Sequence, residues 1–265
     1  MKDSTQSRRA RGAIILSLCL CVSALNLLPA RAAERVVSLN LCTDQMLVLL
    51  APEKVAALTP LARDPALSFV AREAARLPTV RASAEAVLRL QPDLVLAEPY
   101  GAQTTLALLR EEGLRVLTVP EPRDFAAIRA ETRELAAALG VSQRGNALIR
   151  AMDAELAALP HPRESRSALV WEPRGFTAGP GTLMDAVLRA AGLINASGGR
   201  RTGLEALLRH PPDLLVVSAA PEYPSLASEM LDHPAIADIP RRAIPPALML
   251  CAGPFTADAA ALLAR

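Results

Sequence analysis

Glu85-Ala86-Val87-Leu88-Arg89-Leu90-Gln91-Pro92-Asp93-Leu94-Val95-Leu96 recurs later in the chain as Glu205-Ala206-Leu207-Leu208-Arg209-His210-Pro211-Pro212-Asp213-Leu214-Leu215-Val216. Seven of the twelve positions are identical at a constant offset of 120, and three of the others exchange one aliphatic residue for another. Each copy reads as a short helix, a Pro-Asp break and an apolar run of strand length, because proline cannot continue the helix. Repetition at a fixed offset is the mark of a duplicated architecture.

Outward from the first copy, Arg35 to Leu39, Val55 to Leu58 and Val116 to Val119 read as further strands. Helical segments lie between them, at Thr43 to Leu50 and Thr104 to Glu112, the latter closed by Gly113. Strands alternating with helices of this length predict parallel βα units. From Asp124 to Leu159 the periodicity is helical, interrupted only near Gly140-Val141-Ser142. The strand pattern then resumes with Ala168 to Trp171. The expected organisation is α/β throughout: residues 33–122 as one lobe, 123–164 as a helical connector and 165–265 as a second lobe.

Residues 1–32 read as a cleavable secretory signal. Lys2, Arg8, Arg9 and Arg11 precede an apolar run from Ala13 to Leu28, and Ala30-Arg31-Ala32 supplies the small-x-small site. The expected location is therefore periplasmic. The chain carries 29 basic and 27 acidic residues, so losing this segment, with five basic residues and Asp3, leaves the remainder near −2. No basic stripe with interleaved aromatics remains, which argues against nucleic acid as a partner.

The sequence has no Walker loop, dinucleotide glycine fingerprint or serine elbow, so an enzyme is not expected. His161, His210 and His233 are scattered, which argues against a bare-ion receptor, and no cofactor is expected.

In order and spacing, these motifs resemble the periplasmic binding proteins for vitamin B12 and ferric siderophores, which serve ABC importers. The resemblance rests on Arg35 to Leu39, Gln91 to Ala97, Phe176 to Gly179, Gly192 to Asn195, Pro212 to Val216 and Gly253-Pro254. It implies two Rossmann-like lobes with parallel sheets, joined by a long backbone α-helix, with a ligand cleft between them. It further implies a monomer that delivers a metal chelate or corrinoid to the permease's transmembrane subunits. Glu85 and Glu205, one per lobe, match the acidic positions that dock on permease arginines. The alternative reading is a periplasmic haem-binding or ligand-sensing protein, with a cleft enzyme behind it.

Ligands of open α/β sheets sit beyond the carboxyl ends of the strands. The candidate contacts there are Asn40, Leu41, Cys42, Arg63, Tyr100, Arg174, Phe176 and Cys251. The arginines would suit an anionic chelate. Tyr100 could ligate haem iron, or could be an ordinary amphipathic contact. For Cys42 and Cys251 three readings stand open: a disulfide across the cleft, thiolate ligands to a soft metal, or two unrelated buried thiols.

Overall fold

The structure, a computed structural model, describes residues 32–160, 164, 166–199, 201–219, 231 and 233–265. Residues 1–31 of the expected signal segment lie outside them, as do His161 and Arg200. No helix of the described residues is long and apolar enough to cross a membrane.

The first sheet contains β1 (Val36–Ser38), β2 (Val55–Ala57), β3 (Leu94–Ala97) and β4 (Val116–Thr118), in the order β2-β1-β3-β4. Every pairing in it is parallel. β1 and β3 are buried along their whole length. Strands covered on both faces need unbroken apolar runs, which explains why Val36-Val37 and Leu94-Val95-Leu96 do not alternate with polar residues. Helix α1 (Leu41–Leu50) follows β1, started by Asn40, whose side chain accepts from the Thr43 amide at 2.8 Å. The short helix α2 (Ala71–Ala74) lies beyond β2. Helices α3 (Ala84–Leu88) and α4 (Gln103–Glu111) flank β3 in the chain.

In the second sheet β5 (Arg166–Glu172) pairs in parallel with β7 (Leu193–Asn195) and β8 (Leu214–Ser218), and β8 pairs in parallel with β9 (Arg241–Ile244). A two-residue strand, β6 (Phe176–Thr177), runs antiparallel to the end of β5. Helices α7 (Leu183–Ala190), α8 (Leu204–Arg209) and α9 (Thr256–Ala264) complete this half.

The repeated Pro-Asp does the same work in both sheets. Asp93 accepts from the amides of Glu34 and Arg35 at 2.8 and 3.0 Å, just before β1. Asp213 accepts from the Ser167 amide at 2.7 Å and the Ser167 hydroxyl at 2.8 Å, near the start of β5. Each carboxylate thus satisfies donors where a central strand enters its sheet, which ties the neighbouring strands in register.

The connector comprises α5 (Phe125–Ala138) and α6 (Ser142–Ala157), broken at Gly140 with φ 70°. Asp124 caps α5 by accepting from the Ala127 amide at 2.7 Å. The two helices pack side by side and are bridged by Arg129 and Asp153 at 2.6 Å. The hairpin reaches both halves of the molecule. Leu135, Ala136 and Leu139 join the core under the first sheet, whereas Ile128 and Met152 pack with Leu183, Ala252 and Ala257 of the second half.

Gly145 sets the spacing of this hairpin. A Cβ there would come within 2.5 Å of the Ala136 Cβ. Helix propensity alone favours Gly145→Ala by about 1 kcal/mol. The overlap involves a methyl fixed to backbone on the neighbouring helix, so overpacking outweighs propensity, and a net loss of about 1–2 kcal/mol is expected. A lower urea midpoint with an unchanged m-value would show it; a stabilised variant would mean the helices separate freely.

Candidate ligand cleft

Loops after β1, β3 and β4 converge on a cavity of about 140 Å³. They contribute Asn40, then Glu98 and Tyr100, then Glu121. Glu131 reaches it from the middle of α5, and Leu250 and Ala252 close it from the second half of the chain. A second cavity, of about 270 Å³, also borders Leu250, with Glu172, Phe176 and Met184 in its wall. Leu250 borders both cavities, so the two are neighbouring parts of one cleft between the sheets.

The floor is joined covalently. The Cys42 and Cys251 sulfurs are bonded at 2.15 Å, linking the first turn of α1 to the segment before α9 across 209 residues. Phe69 stacks on Phe255 nearby, with ring centroids 4.6 Å apart. Phe69 is itself held by its amide, which donates to the buried Gln45 side chain at 2.7 Å.

On the second-sheet side, Trp171 is fully buried and its indole donates to the Thr202 carbonyl at 2.9 Å. Gly175, at φ 73°, lies against the same carbonyl, where a Cβ would approach to 2.5 Å. These contacts place Phe176, which is 46% exposed, under the Arg201 guanidinium at 4.7 Å.

The electrostatics of the cleft are acidic. Burial pushes the Glu131 carboxyl up to about 8, reinforced by Glu134 and Glu121. Glu121 is raised by burial and then by Glu98, with Arg123 opposing. Burial alone raises Glu172. Three polar atoms in these walls, Asn40 Nδ2, Glu131 Oε2 and Glu172 Oε1, are buried and meet no hydrogen-bond partner among the described residues. Each such group costs on the order of 1–3 kcal/mol. Asp44, below the cleft in α1, is different. Burial lifts it to about 7 against hydrogen bonds from Ser38 and Thr59, and its oxygens accept from the Thr59 hydroxyl at 2.5 Å and the Thr59 amide at 3.1 Å.

Of the residues singled out from sequence, Asn40, Cys42 and Tyr100 meet in the first cavity and Phe176 lines the second. Tyr100 is 89% exposed at the rim. Leu41 packs with the apolar core of the second half, and Cys251 is buried in it. Arg63 donates to the Leu77 carbonyl at 2.5 Å and does not line either cavity. Arg174 is exposed in a left-handed conformation, φ 61°, and its carbonyl accepts from Arg201. Sequence reasoning passed over Glu98, Glu121 and Glu131. Glu98 stands immediately beyond β3 and Glu121 three residues beyond β4, where the rule for open sheets could have found them. Glu131 is one of several glutamates on α5, and nothing in the sequence distinguishes it. Among the described residues no group of His, Cys, Asp and Glu is arranged to hold a metal ion.

The family model described as "Periplasmic binding protein" matches residues 36–241. No curated protein matches the chain in sequence. Among solved structures, the periplasmic haem-binding protein RhuT from Roseiflexus sp. RS-1 is 27% identical with a TM-score of 0.69, over 88% of this chain and 98% of that one. A periplasmic haem-binding protein from Pseudomonas aeruginosa is 24% identical with a TM-score of 0.69, over 88% and 91%. An ABC-type Fe3+-hydroxamate transport system protein from Saccharomonospora viridis is 20% identical with a TM-score of 0.61, over 86% and 91%.

Asp44 yields a pH prediction. A carboxyl raised from 3.8 to about 7 favours the folded state while protonated, so its contribution is complete below about pH 4 and is lost as pH rises through about 7. Glu131, raised from 4.5 to about 8, extends the decline. In Asp44→Asn the fall in urea midpoint between pH 4 and 7 should be shallower than in the wild type. Parallel curves would show that Asp44 ionises at its ordinary value.

Proposed function

Because the chain belongs to the periplasmic binding protein family, we propose that it captures a metal chelate in the cleft between its two sheets and passes it to the permease of an ATP-driven importer. The family consists of substrate-binding proteins and not enzymes, so the work of the cleft is recognition. The observation that carries the reading is the cleft itself. It lies beyond the carboxyl ends of parallel strands, takes residues from both halves and has a floor pinned by the Cys42–Cys251 bond. Relatives of the same fold are described as binding haem and as transporting an iron hydroxamate, and both are chelates of one metal.

In this reading Asn40, Tyr100 and Phe176 contact the ligand directly, while Leu41, Cys42 and Cys251 shape the floor. Arg63 and Arg174 stand outside the two cavities and would be reached only by a ligand that overfills them. The protein works as a monomer, exported by a signal that is removed after Ala32.

Purified from the periplasm, the protein should retain one coloured chelate through desalting when offered cobalamin, cobinamide, ferric siderophores and haem in turn. At 100 times its dissociation constant the retained ligand should stabilise the fold by about 2.7 kcal/mol. Retention of none of them, with and without reductant, would remove the chelate-binding reading.

Delivery is assigned to Glu85 and Glu205, the acidic residues shared by the two copies of the repeat. Both are exposed near the start of short helices, and Glu85 pairs with Arg89 at 2.5 Å on the surface. Exposed charges of this kind set orientation and encounter rate. Reversing both to Lys should abolish uptake through the permease while leaving chelate affinity unchanged. Normal uptake by the double variant would show that docking lies elsewhere.

A further inference from the structure

The first cavity holds a buried amide donor and a buried carboxyl oxygen that no described residue engages. Asn40 starts α1, and its Oδ1 accepts from the Thr43 amide at 2.8 Å and the Thr43 hydroxyl at 2.6 Å. Those bonds fix the orientation of the side-chain amide, so the spare atom is Nδ2, a donor. Glu131 contributes Oε2, which is an acceptor when the carboxyl is ionised. Both atoms are buried without partners among the described residues, and both residues line the same cavity. A carboxamide presents a carbonyl acceptor and at least one N–H donor, the complement of this pair when Glu131 is ionised. A carboxylate presents acceptors only.

We propose that Asn40 and Glu131 form a subsite for a carboxamide on the chelate's periphery, so that the cleft favours neutral, amide-bearing chelates over carboxylate-bearing ones. The inference rests on the chelate-binding reading above. The surroundings point the same way. Glu98 and Glu121 share the cavity wall with Glu131, and no Lys or Arg lines it among the described residues. The charged groups bearing on Glu131 are Glu134 from its own helix and Glu121 from the loop after β4, with Glu98 and Arg123 acting on Glu121. A ligand carboxylate would add a negative charge to carboxyl groups that burial already resists ionising. A neutral amide adds none.

The test compares matched chelates at pH 9.5, well above the value of about 8 to which burial raises the Glu131 carboxyl. One arm uses dicyanocobinamide, whose periphery is amide, against dicyanocobyrinic acid, the corresponding heptacarboxylate. A second arm uses a neutral ferric trihydroxamate built on a cyclic peptide against a ferric citrate-type siderophore and haem, both of which carry carboxylates. In at least one arm the amide-bearing member should bind roughly tenfold to a hundredfold tighter, as expected where mismatched buried polar groups are left unpaired. Which arm binds identifies the source of the amide. Glu131→Gln supplies N–H donors at the same place, and should shrink the preference by about tenfold, chiefly by improving carboxylate binding. The preference is a ratio within each variant, so partial loss of folded protein cancels. Equal or tighter binding of a carboxylate-bearing chelate would overturn the inference while leaving the chelate-binding reading standing. A preference unchanged in Glu131→Gln would overturn it as well. Binding of no chelate in either arm would end the parent reading, and this inference with it.

Discussion

The covalent link between Cys42 and Cys251 fixes the geometry on which the cleft depends. It joins the first turn of the first helix to the segment leading into the last one, across 209 residues. In the chain-entropy account, closing so long a loop in the unfolded state stabilises the fold by roughly 5.4 kcal/mol. Its structural consequence is larger than that figure. Phe69 against Phe255 makes a second tie to the same segment, and the helical hairpin runs between the cores of both halves. Three attachments of different kind leave the walls of the cleft little freedom to separate. A cavity held open in this way binds without the ordering cost of a hinge closing on its ligand.

The internal repeat made the architecture legible because one physical requirement is met twice. In each half a parallel sheet needs a central strand whose entering amides have partners, and a Pro-Asp before the adjacent strand provides them. Asp93 receives Glu34 and Arg35; Asp213 receives Ser167. Purely local periodicity located the break in the connector at Gly140, where the chain needs a positive φ to turn. What periodicity could not reveal is that the two connector helices lie alongside each other. That depends on Gly145 admitting the Ala136 methyl, a contact between residues on separate helices.

The candidate site was legible in its loops and not in its chemistry. Asn40 and Tyr100 follow strand ends and fall in the first cavity, as the general rule for open sheets anticipates. The arginines chosen for their charge do not line either cavity, because a long side chain can satisfy itself on a nearby carbonyl, as Arg63 does at Leu77. Cysteine content left three chemistries open for Cys42 and Cys251, since only the distance between two sulfurs separates them. Glu131 was invisible for a related reason. A glutamate in the middle of an amphipathic helix is ordinarily a solvated charge, and only tertiary packing puts this one in a cavity wall.

Two buried carboxyls, one in the first half and one in the connector, show how their hydrogen-bond partners set their roles. Asp44 and Glu131 are both raised by burial, to about 7 and about 8. Asp44 has spent its acceptors, since Thr59 donates to it through both amide and hydroxyl and so fastens α1 to the chain leaving β2. Removing its charge therefore changes stability with pH but offers nothing to the cleft. Glu131 keeps an oxygen with no partner among the described residues, so nothing among them offsets its desolvation. That free oxygen is the one the proposed carboxamide subsite uses. The similar shifts of the two acids do not separate these roles; their hydrogen-bond partners do.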